Sequence, residues 1–473
     1  MPSGHMKEPQ NGRDSLPTES TPLLPSKAQD IPCQGSSDQN GESEGMSHGH
    51  PGSTLGSAVF NLSNTIIGAG IMGLPATIKV LGIPLGLTVL VIMGAMNEYS
   101  LQRLLRSTSA AKAWSFGDLM AATHGRVGRM LLRTSIFINN TGILLIYLVI
   151  IGDVLSGSDG ADGEHYSGLF EEWAGGPTWW NSRLTVLAAS IVAVIGPLAA
   201  LPDIDSLWFT SGLSVLLAVV FVVVTILITL YKLVEGTIDW SGVHWLPQLK
   251  TSQEYWHLLS VIPTMATAFT CHYNMHPILV ELKPPREEKM HTAIQKTFVI
   301  CTSVYAVTAL FGYLLFGEAT YADVLANFDT DLGIPGSCYL NDIVRLFYAL
   351  HLMLVFPVIH FSLRSTVGSV LFPRSAPLKH DPCGYIFTTV LLLGAILAAS
   401  LYVPGIQSAF ELAGSTGAAI IAFCFPGMVA LSERAGGLAA SATQRAAAWF
   451  LLLLGLGVCF TGLADSVHSF LRK

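Results

Sequence analysis

The chain has 473 residues, of which 51% are hydrophobic and only 12% are charged, and its formal net charge is −7. Because an average soluble domain contains about 25% charged residues, this composition argues against a soluble protein. The sequence has neither the basic clusters with aromatic residues that indicate nucleic-acid binding nor the paired cysteines of a zinc site. Its apolar residues form runs of about 20, the length of a helix that crosses a bilayer. Peptide groups in the hydrocarbon layer need partners within the chain, so these runs predict α-helices.

The first segment, residues 1–52, is rich in Ser, Pro, Gly, Gln and Asp and has no apolar periodicity. This composition predicts a disordered cytosolic tail, followed by a transmembrane domain over residues 53–470. The tail contains Glu19-Ser-Thr-Pro-Leu23-Leu24, an acidic dileucine pattern of the kind that sorting adaptors of internal membranes bind. We therefore expect a vacuolar or lysosomal membrane rather than the plasma membrane, with sorting adaptors as possible partners.

Eleven apolar segments predict an all-α membrane protein with eleven transmembrane helices. They cover approximately residues 54–80, 83–106, 130–154, 183–201, 206–232, 257–281, 292–316, 340–366, 385–404, 409–431 and 446–470. Lys and Arg concentrate in the loops on the side of the tail, whereas the loop 157–180 holds five acidic residues and no Lys or Arg. Because basic loops stay in the cytosol, the N-terminus is predicted to be cytosolic and the C-terminus lumenal or extracellular.

The centre of the first span is weakened by Gly68, Gly70, Gly73 and Pro75. Inside a helix each glycine costs about 1 kcal/mol relative to alanine, and proline costs about 3 kcal/mol. Close helix packing explains glycines, but it does not require the proline. We therefore predict that the helix unwinds near 68–71. The freed amides would suit a substrate carboxylate, and the freed carbonyls an ammonium group or a cation.

The sixth span repeats this pattern, because the stretch from Thr264 to Pro277 is polar within an apolar segment. Polar groups at membrane depth usually face a cavity or a partner. We predict a second break, with Pro277 ending the first half of the helix. The residues expected around the substrate are Phe269, Thr270, Cys271, His272 and Asn274. The alternative is that His272 or His276 is a hydrogen-bonded packing residue.

The two interrupted helices lie five spans apart, which suggests two five-helix halves. An odd offset inverts the second copy, and such inverted repeats are typical of secondary transporters. The eleventh helix would then be an addition.

The run from Phe60 to Pro75 resembles the first helix of the amino acid/auxin permease family. The closest resemblance is to its sodium-coupled neutral amino acid transporters and to the vacuolar transporters of plants and algae. The stretches Phe269–Pro277 and Leu354–Pro357 add to this resemblance, which covers about residues 52–470.

The resemblance implies a LeuT-like core of 5+5 helices that moves amino acids along a sodium or proton gradient. It also implies that the substrate backbone binds at the first break and that Asn64 belongs to a cation site, where sodium could bind. The residues of the first break are Gly68, Ala69, Gly70 and Ile71.

The eighth span departs from the family pattern. Sodium-coupled members carry threonines shortly before its proline, whereas this chain has Met353 and Val355 before Pro357. These side chains offer no hydroxyl oxygen to sodium, which places sodium coupling in doubt. His351 leaves room for proton coupling, although a packed neutral histidine is the alternative. The ion-coupling candidates are Asn64, Ile67 and His351.

The same span carries Asp342 and Arg345, three residues apart on one helical face, which predicts an ion pair.

The expected function is secondary active transport of amino acids, in particular neutral ones, with Na⁺ or H⁺ as the coupling ion and no cofactor. The alternative is an amino acid sensor that signals through its cytosolic tail. The spans contain neither the HExxH helix of a zinc enzyme nor an acid/base or nucleophile pair at catalytic spacing, so we do not expect an enzyme. The expected partners are the amino acid and the lipid bilayer.

Overall fold

The computed structural model describes residues 54–159, 165–202, 207–248, 252–282, 287–329, 331–371, 381–403, 406–432 and 441–471. The predicted tail over residues 1–52, with its dileucine motif, therefore lies outside the described residues.

The first predicted span consists of two helices, α1 (Leu55–Ile66) and α2 (Gly70–Leu81), which are bent by 59° at the residues between them. Thr54 caps α1, because its Oγ1 accepts the Ser57 N–H at 3.2 Å. The predicted break in this span is thus present. Its centre, at residues 67–69, lies slightly before the predicted position.

Two long helices follow, α3 (Ile83–Ala111) and α4 (Phe116–Ser156). Helix α4 is kinked at Gly125, whose φ of 69° lies in the left-handed region that glycine tolerates. A small antiparallel hairpin of β1 (Ser158–Asp159) and β2 (His165–Tyr166) comes next, followed by the short helix α5 (Leu169–Ala174).

The fourth predicted span contains α6 (Arg183–Ser190), a π-helical turn and α7 (Gly196–Ala199). Helix α8 (Trp208–Glu235) is the fifth. Its exposed apolar residues recur every three or four positions, which gives the helix one continuous apolar face suited to lipid. They include Leu216, Val219, Val223 and Leu227.

The sixth predicted span is again divided, into α9 (Ser252–Phe269) and α10 (His272–Glu281). Helix α11 (Glu287–Phe316) leads into 3₁₀ turns at Gly317–Ala319 and Val324–Asp329. Helices α12 (Ser337–Leu371) and α13 (Pro382–Ser400) come next.

The tenth predicted span begins with α14 (Ile406–Ala413), continues through two π-helical turns and ends with α15 (Phe425–Leu431). Helix α16 (Ala442–Leu471) is the last described helix.

Fewer helices than predicted meet the length and composition expected of a membrane span. Within the described part of the chain, 8 helices are long and apolar enough to cross a membrane, or up to 9 when the bent pair α1–α2 counts as one. The fourth predicted span is a shorter apolar helix, Arg183–Ala199, and the sixth is interrupted. The prediction of eleven spans is therefore not confirmed, and the 5+5 inverted repeat stays a prediction.

Two prolines of the broken spans lie inside helices and not at the helix breaks. Pro75 lies inside α2, and Pro277 lies inside α10 rather than at the end of α9. Pro75 packs against Gly312 of α11, where an added Cβ would meet its Cγ at 2.8 Å. The prediction that Pro277 ends the first half-helix was wrong, because α9 already ends at Phe269.

The broken helices lie at the centre of the bundle. Helix α11 packs against α1, α2 and α3, and α12 packs against α4 and α8. Helix α2 also contacts α9, and α1 contacts α10. These contacts bring the two breaks together.

Candidate functional site

The break in the first span leaves peptide groups without helical partners. The Ile67 N–H still donates to Ser63 O at 2.7 Å, and the Ile71 N–H donates to Gly68 O at 3.3 Å. Between them, within the described residues, the N–H groups of Gly68 and Gly70 have no hydrogen-bond acceptor. These amides stand at the start of α2, where the helix dipole is positive. The arrangement is suited to an anionic group.

The carbonyl oxygens at the breaks are met by two tyrosines from neighbouring helices. The hydroxyl of Tyr305 lies 2.5 Å from Ile66 O and 3.0 Å from Ala268 O. Its single proton is therefore shared between a carbonyl at the first break and a carbonyl at the second. The hydroxyl of Tyr348 donates to Gly68 O at 2.7 Å. Both tyrosines are fully buried. They satisfy carbonyls whose burial without a partner would be costly.

A third tyrosine, Tyr147 of α4, faces the amide side of the first break. An added Cβ at Gly68 would lie 2.2 Å from the Tyr147 hydroxyl, so only glycine fits here. The Ala69 amide is within hydrogen-bonding range of the same oxygen. The Tyr147 hydroxyl therefore sits where a carboxylate would bind to the amides.

The second break is short and is tied to the first. The Thr270 hydroxyl donates to Ala266 O at 2.6 Å, and the Asn274 N–H donates to Cys271 O at 3.0 Å. The Asn274 side chain donates to Thr65 Oγ1 of α1 at 3.1 Å. Asn274 thus links the two broken helices directly.

The two breaks also touch through backbone. An added Cβ at Gly70 would meet both Cα and Cβ of Ala268 at 2.7 Å. The absence of a side chain at Gly70 therefore allows α2 and α9 to cross closely. From the sequence, Gly70 was predicted at the substrate site, with close helix packing as the alternative for the glycines, and the structure shows such packing against Ala268.

A small cavity of about 20 Å³ lies between the breaks. This volume holds about one water molecule. The lining residues are Thr65, Ile66, Gly68, Ala69, Gly70, Ile143, Ile146, Tyr147, Thr267, Ala268, Thr270 and Phe410. Of the predicted substrate residues, Gly68, Ala69, Gly70 and Thr270 therefore face it.

Five predicted substrate residues lie close by but do not line this cavity: Ile71, Phe269, Cys271, His272 and Asn274. Phe269 packs on Tyr305, with ring centroids 5.1 Å apart. His272 is fully buried, and neither ring nitrogen has a hydrogen-bond partner in the described part of the chain. Ile71 and Cys271 are fully buried as well.

Sequence reasoning missed eight of the lining residues: four, Thr65, Ile66, Thr267 and Ala268, lie in the first and sixth spans, and the other four come from other spans. Ile143, Ile146 and Tyr147 belong to α4, and Phe410 belongs to α14. The spacing of the three α4 residues, at i, i+3 and i+4, indicates a shared helix face. Nothing in the sequence shows that this face meets the breaks.

Two of the three ion-coupling candidates, Asn64 and His351, form hydrogen bonds with Ser214 of α8. The Ser214 hydroxyl donates to Asn64 Oδ1 at 3.0 Å, and His351 Nδ1 donates to Ser214 O at 2.7 Å. Ile67 ends α1 in an extended conformation with ψ of 98°. Asn64 and His351 therefore share one buried polar cluster, which joins α1, α8 and α12.

The oxygens around this cluster do not suit a sodium ion well. Tyrosine hydroxyls already donate to the carbonyls of Ile66, Gly68 and Ala268, and Ser214 donates to Asn64. On α12, Met353 and Val355 supply no side-chain oxygen. A hard cation needs several oxygen ligands, and these two side chains provide none.

The ion pair predicted between Asp342 and Arg345 was wrong. Arg345 Nη1 instead lies 2.6 Å from Glu172 Oε1 and 3.9 Å from Asp329 Oδ1. Asp342 accepts the indole N–H of Trp173 at 3.0 Å. The acidic loop before α6 folds over the start of α12 and supplies the partner of Arg345. The spacing of residues within the helix could not reveal this contact.

The comparisons with known proteins first define a class. The fold is similar to the structure of Mhp1, a nucleobase-cation-symport-1 family transporter, with a TM-score of 0.52 and 11% identity over 87% of this chain and 93% of that one. It is also similar to a manganese transporter of Eremococcus coleocola, with a TM-score of 0.50 and 13% identity over 90% of both chains. At these identities the likeness shows the fold alone, that of a LeuT-like membrane transporter.

The family follows from the sequence. Residues 51–468 match the family described as transmembrane amino acid transporter protein, and the chain belongs to this family. It is 44% identical to Amino acid transporter AVT6A of Arabidopsis thaliana over 81% of this chain and 82% of the relative. It is 42% identical to AVT6B of the same plant, over 85% and 86% of the two chains. The predicted resemblance to the amino acid/auxin permeases is confirmed.

Proposed function

We propose that this protein is a secondary active transporter that carries amino acids, principally neutral ones, through a membrane by alternating access and couples them to protons. The observation that carries this proposal is the meeting of two helix breaks, with the unpaired amides of Gly68 and Gly70 beside Thr270. Such half-helix ends at mid-membrane bind zwitterions without a charged side chain. The names of the relatives, which are amino acid transporters, agree with it.

The cavity lining indicates how an amino acid would be recognised. Its carboxylate would bind the amides at the start of α2, displacing or sharing the Tyr147 hydroxyl. Its ammonium group would bind the second lone pairs of carbonyls such as Ile66 O. Ile143 and Phe410 would face the side chain. Because the lining contains no charged residue, a neutral side chain is favoured.

Transport requires this site to open. A cavity of about 20 Å³ has no room for an amino acid, so Tyr147 and Phe410 must move apart for substrate to enter. We assign this conformation to a closed step between openings to either side.

Protons are the coupling ion that the polar cluster supports best. On α12, Met353 and Val355 supply no side-chain oxygen for sodium, whereas His351 Nε2 has no partner in the described residues. An imidazole in water titrates in the physiological range, so His351 would take up its proton when the site opens to water. Its Nδ1–H bond to Ser214 would report that change to Asn64 and α1.

We further infer that the protein resides in a vacuolar or lysosomal membrane. The acidic dileucine pattern at Glu19–Leu24 would direct it there by binding sorting adaptors, with the N-terminus in the cytosol. The lumen of such compartments is acidic, so proton-coupled transport would carry amino acids from the lumen to the cytosol.

The test is flux in reconstituted vesicles, with the pH gradient and the sodium gradient varied separately. We expect uptake of neutral amino acids driven by an acidic compartment and unaffected when sodium is replaced by choline. Flux driven only by sodium would refute proton coupling. Binding that stabilises the purified protein without any flux would indicate the sensor instead, and a preference for acidic amino acids would refute the reading of the cavity lining.

A further inference from the structure

A group of loop segments covers one end of the bundle, over α4 and α12. We call it the cap, and it consists of β2 with α5 and the loop of residues 317–329 after α11, which includes the 3₁₀ turns Gly317–Ala319 and Val324–Asp329. Arg345 of α12 anchors the cap, since its guanidinium bonds Glu172 of α5 and donates to Ser167 O at 2.6 Å. The rings of Tyr166 and Tyr321 join the two parts, with centroids 5.0 Å apart.

Most carboxylates of the cap have cationic partners. Asp153 Oδ1 lies 2.5 Å from Arg183 Nη1, and Glu172 Oε1 lies 2.6 Å from Arg345 Nη1. Asp329 shares Arg345 at 3.9 Å, and Glu171 faces His165 at 2.9 Å. Asp323 has no cationic partner within 4.0 Å among the described residues.

Asp323 is only 5% exposed. Its Oδ1 accepts the Leu325 N–H at 3.0 Å, but its Oδ2 has no hydrogen-bond partner among the described residues. The side chain lines a cavity of about 10 Å³ together with Asp153, Asp329 and Arg345. This volume is close to that of one water molecule. A buried carboxylate with no cation within 4.0 Å among the described residues, in a small cavity that two other acidic residues also line, is costly to ionise.

We propose that Asp323 is a proton-binding site of the cap, and that the protonated form holds the turn Val324–Asp329 closed against α12 while the ionised form releases it. The proton would come from water on the cap side of the membrane and would sit on Oδ2. From there the carboxyl group can donate toward Asp153 or Asp329 across the cavity.

Burial raises the pKa of the Asp323 carboxyl to about 7; the Leu325 N–H partly offsets this rise, and the nearby Asp153 carboxylate adds to it. The unfolded chain loses this proton near its ordinary value of about 4. The folded state therefore holds an extra proton between these two values. Its stabilising effect is complete at acid pH and is lost as the pH rises through about 7.

The other charged and titratable groups that face this region come from each neighbouring element. They are Lys79 of α2, Asp153 of α4, His165 and Tyr166 of β2, Glu171 and Glu172 of α5, Arg183 of α6, His244 after α8, Glu318, Tyr321 and Asp329 of the cap, and Asp342, Arg345 and Tyr348 of α12. His165 is half exposed, and His244 lies 2.5 Å from Glu318; these two histidines are the groups that could mimic the pH response near neutrality.

A chain of aromatic rings connects this site to the first helix break. Phe328, in the same turn as Asp323, packs on Phe221 of α8 with centroids 6.2 Å apart. Phe221 packs on Tyr348 at 5.1 Å, and the Tyr348 hydroxyl donates to Gly68 O. Tyr348 also lies within electrostatic range of Asp323. Movement of the turn would therefore reach the hydroxyl that closes the break.

The test compares the purified full-length protein with Asp323→Asn, which keeps the Leu325 hydrogen bond and mimics the protonated carboxyl. The matched control is Asp331→Asn, an exposed residue of the same loop whose Oδ1 accepts the Gly333 N–H. Thermal unfolding is measured from pH 5 to pH 8.5 at constant potassium chloride. At pH 8 we expect Asp323→Asn to be more stable than wild type by about 2 °C or more. The difference should shrink as the pH falls toward 5, because the unfolded chain loses this proton only near its ordinary pKa of about 4.

Asp331→Asn should follow wild type throughout, and His165→Gln and His244→Gln should each keep the wild-type pH response. Parallel curves for wild type and Asp323→Asn would overturn the proposal. Stabilisation of wild type at pH 8 by sodium but not by choline, absent in Asp323→Asn, would also overturn it, because the site would then hold a metal cation.

Hydrogen exchange of wild type gives a second readout that requires no variant to fold. After correction for the intrinsic rate, amides of Val324–Asp329 should exchange faster at pH 8 than at pH 5.5. The amides of Lys112 and Ala113, which are hydrogen-bonded at the end of α3 outside the cap, should not change. Equal protection at both pH values would contradict the model. Any part of this site in transport rests on the proposed function, whereas unfolding and exchange report proton binding even if no amino acid flux is found.

Discussion

Three buried tyrosines from three long helices end at the same pair of helix breaks. Tyr147 comes from α4, Tyr305 from α11 and Tyr348 from α12. Their hydroxyl groups take the place of the helical hydrogen bonds that the breaks have given up. A broken helix deep in a membrane is stable only if such partners exist. These hydroxyl groups thus satisfy the interrupted backbone in the closed site.

The first prediction concerns Tyr305→Phe, which removes one hydroxyl that serves both breaks. Ile66 O and Ala268 O would lose a buried donor, so we expect a loss of about 1–3 kcal/mol in the free energy of unfolding. The control is Tyr339→Phe in α12, whose side chain is 78% exposed and should have almost no effect. Thermal unfolding in detergent and the KM for the amino acid are the measurements. Equal stability of the two variants would show that the carbonyls find other partners.

The second prediction concerns His351→Gln, which can keep the donor to Ser214 O but cannot titrate. Stimulation of uptake by a pH gradient should disappear, while exchange of amino acid across the membrane without a gradient should continue. His360→Gln, a buried histidine on the same helix, is the control and should keep the stimulation. If His351→Gln still responds to the pH gradient, another group carries the proton.

At the scale of the helix, the crossing of α2 and α9 explains why glycine is needed where the chain unwinds. Gly70 lies against Ala268 without room for a side chain. The prolines of α2 and α10 lie further along each helix, where they weaken the helical hydrogen bonding without marking the break. The close crossing at Gly70 and the prolines therefore act at different positions along the broken helices.

The third prediction compares two glycine substitutions in membrane helices. Gly70→Ala places a Cβ 2.7 Å from Ala268, so we expect a loss of about 1–3 kcal/mol from overpacking, together with loss of transport. Gly394→Ala in α13 meets nothing within 4 Å and should be neutral or stabilising by up to about 1 kcal/mol. Ala268→Gly should rescue Gly70→Ala in part, since contact with the Ala268 Cα remains. Both values come from thermal unfolding, and a harmless Gly70→Ala would refute the close crossing.

At the scale of the whole molecule, the two ends of the bundle differ in their chemistry. The cap end carries acidic loops held by Arg345 and Arg183. At the opposite end α12 finishes and α13 begins, with the cysteine Cys383 exposed. The proposed orientation places the cap in the lumen and Cys383 in the cytosol.

The fourth prediction tests this orientation with two native cysteines, Cys338 at the cap end and Cys383 at the opposite end, both exposed. In sealed vesicles a membrane-impermeant maleimide added to the cytosolic face should label Cys383 and leave Cys338 unlabelled. Cys33→Ser removes the cysteine of the N-terminal tail, and Cys338→Ser and Cys383→Ser identify the labelled band. The reverse pattern would invert the topology, and labelling of both cysteines from one side would refute the assigned path of the chain.

The sequence by itself was sufficient to predict the membrane environment, the all-helical class, the family and the two helix breaks at Gly68–Gly70 and near Thr270. Each of these depends on residues that are neighbours in the chain, whose apolar length and helix propensity can be read locally. The tertiary structure decided which groups complete the site. The bonds from Tyr305 to Ile66 O and from Tyr348 to Gly68 O, the crossing of Gly70 with Ala268 and the pairing of Arg345 with Glu172 join residues about 170 to 280 positions apart. The stretches around each of these residues look like ordinary apolar helix or acidic loop, so only packing could bring them together.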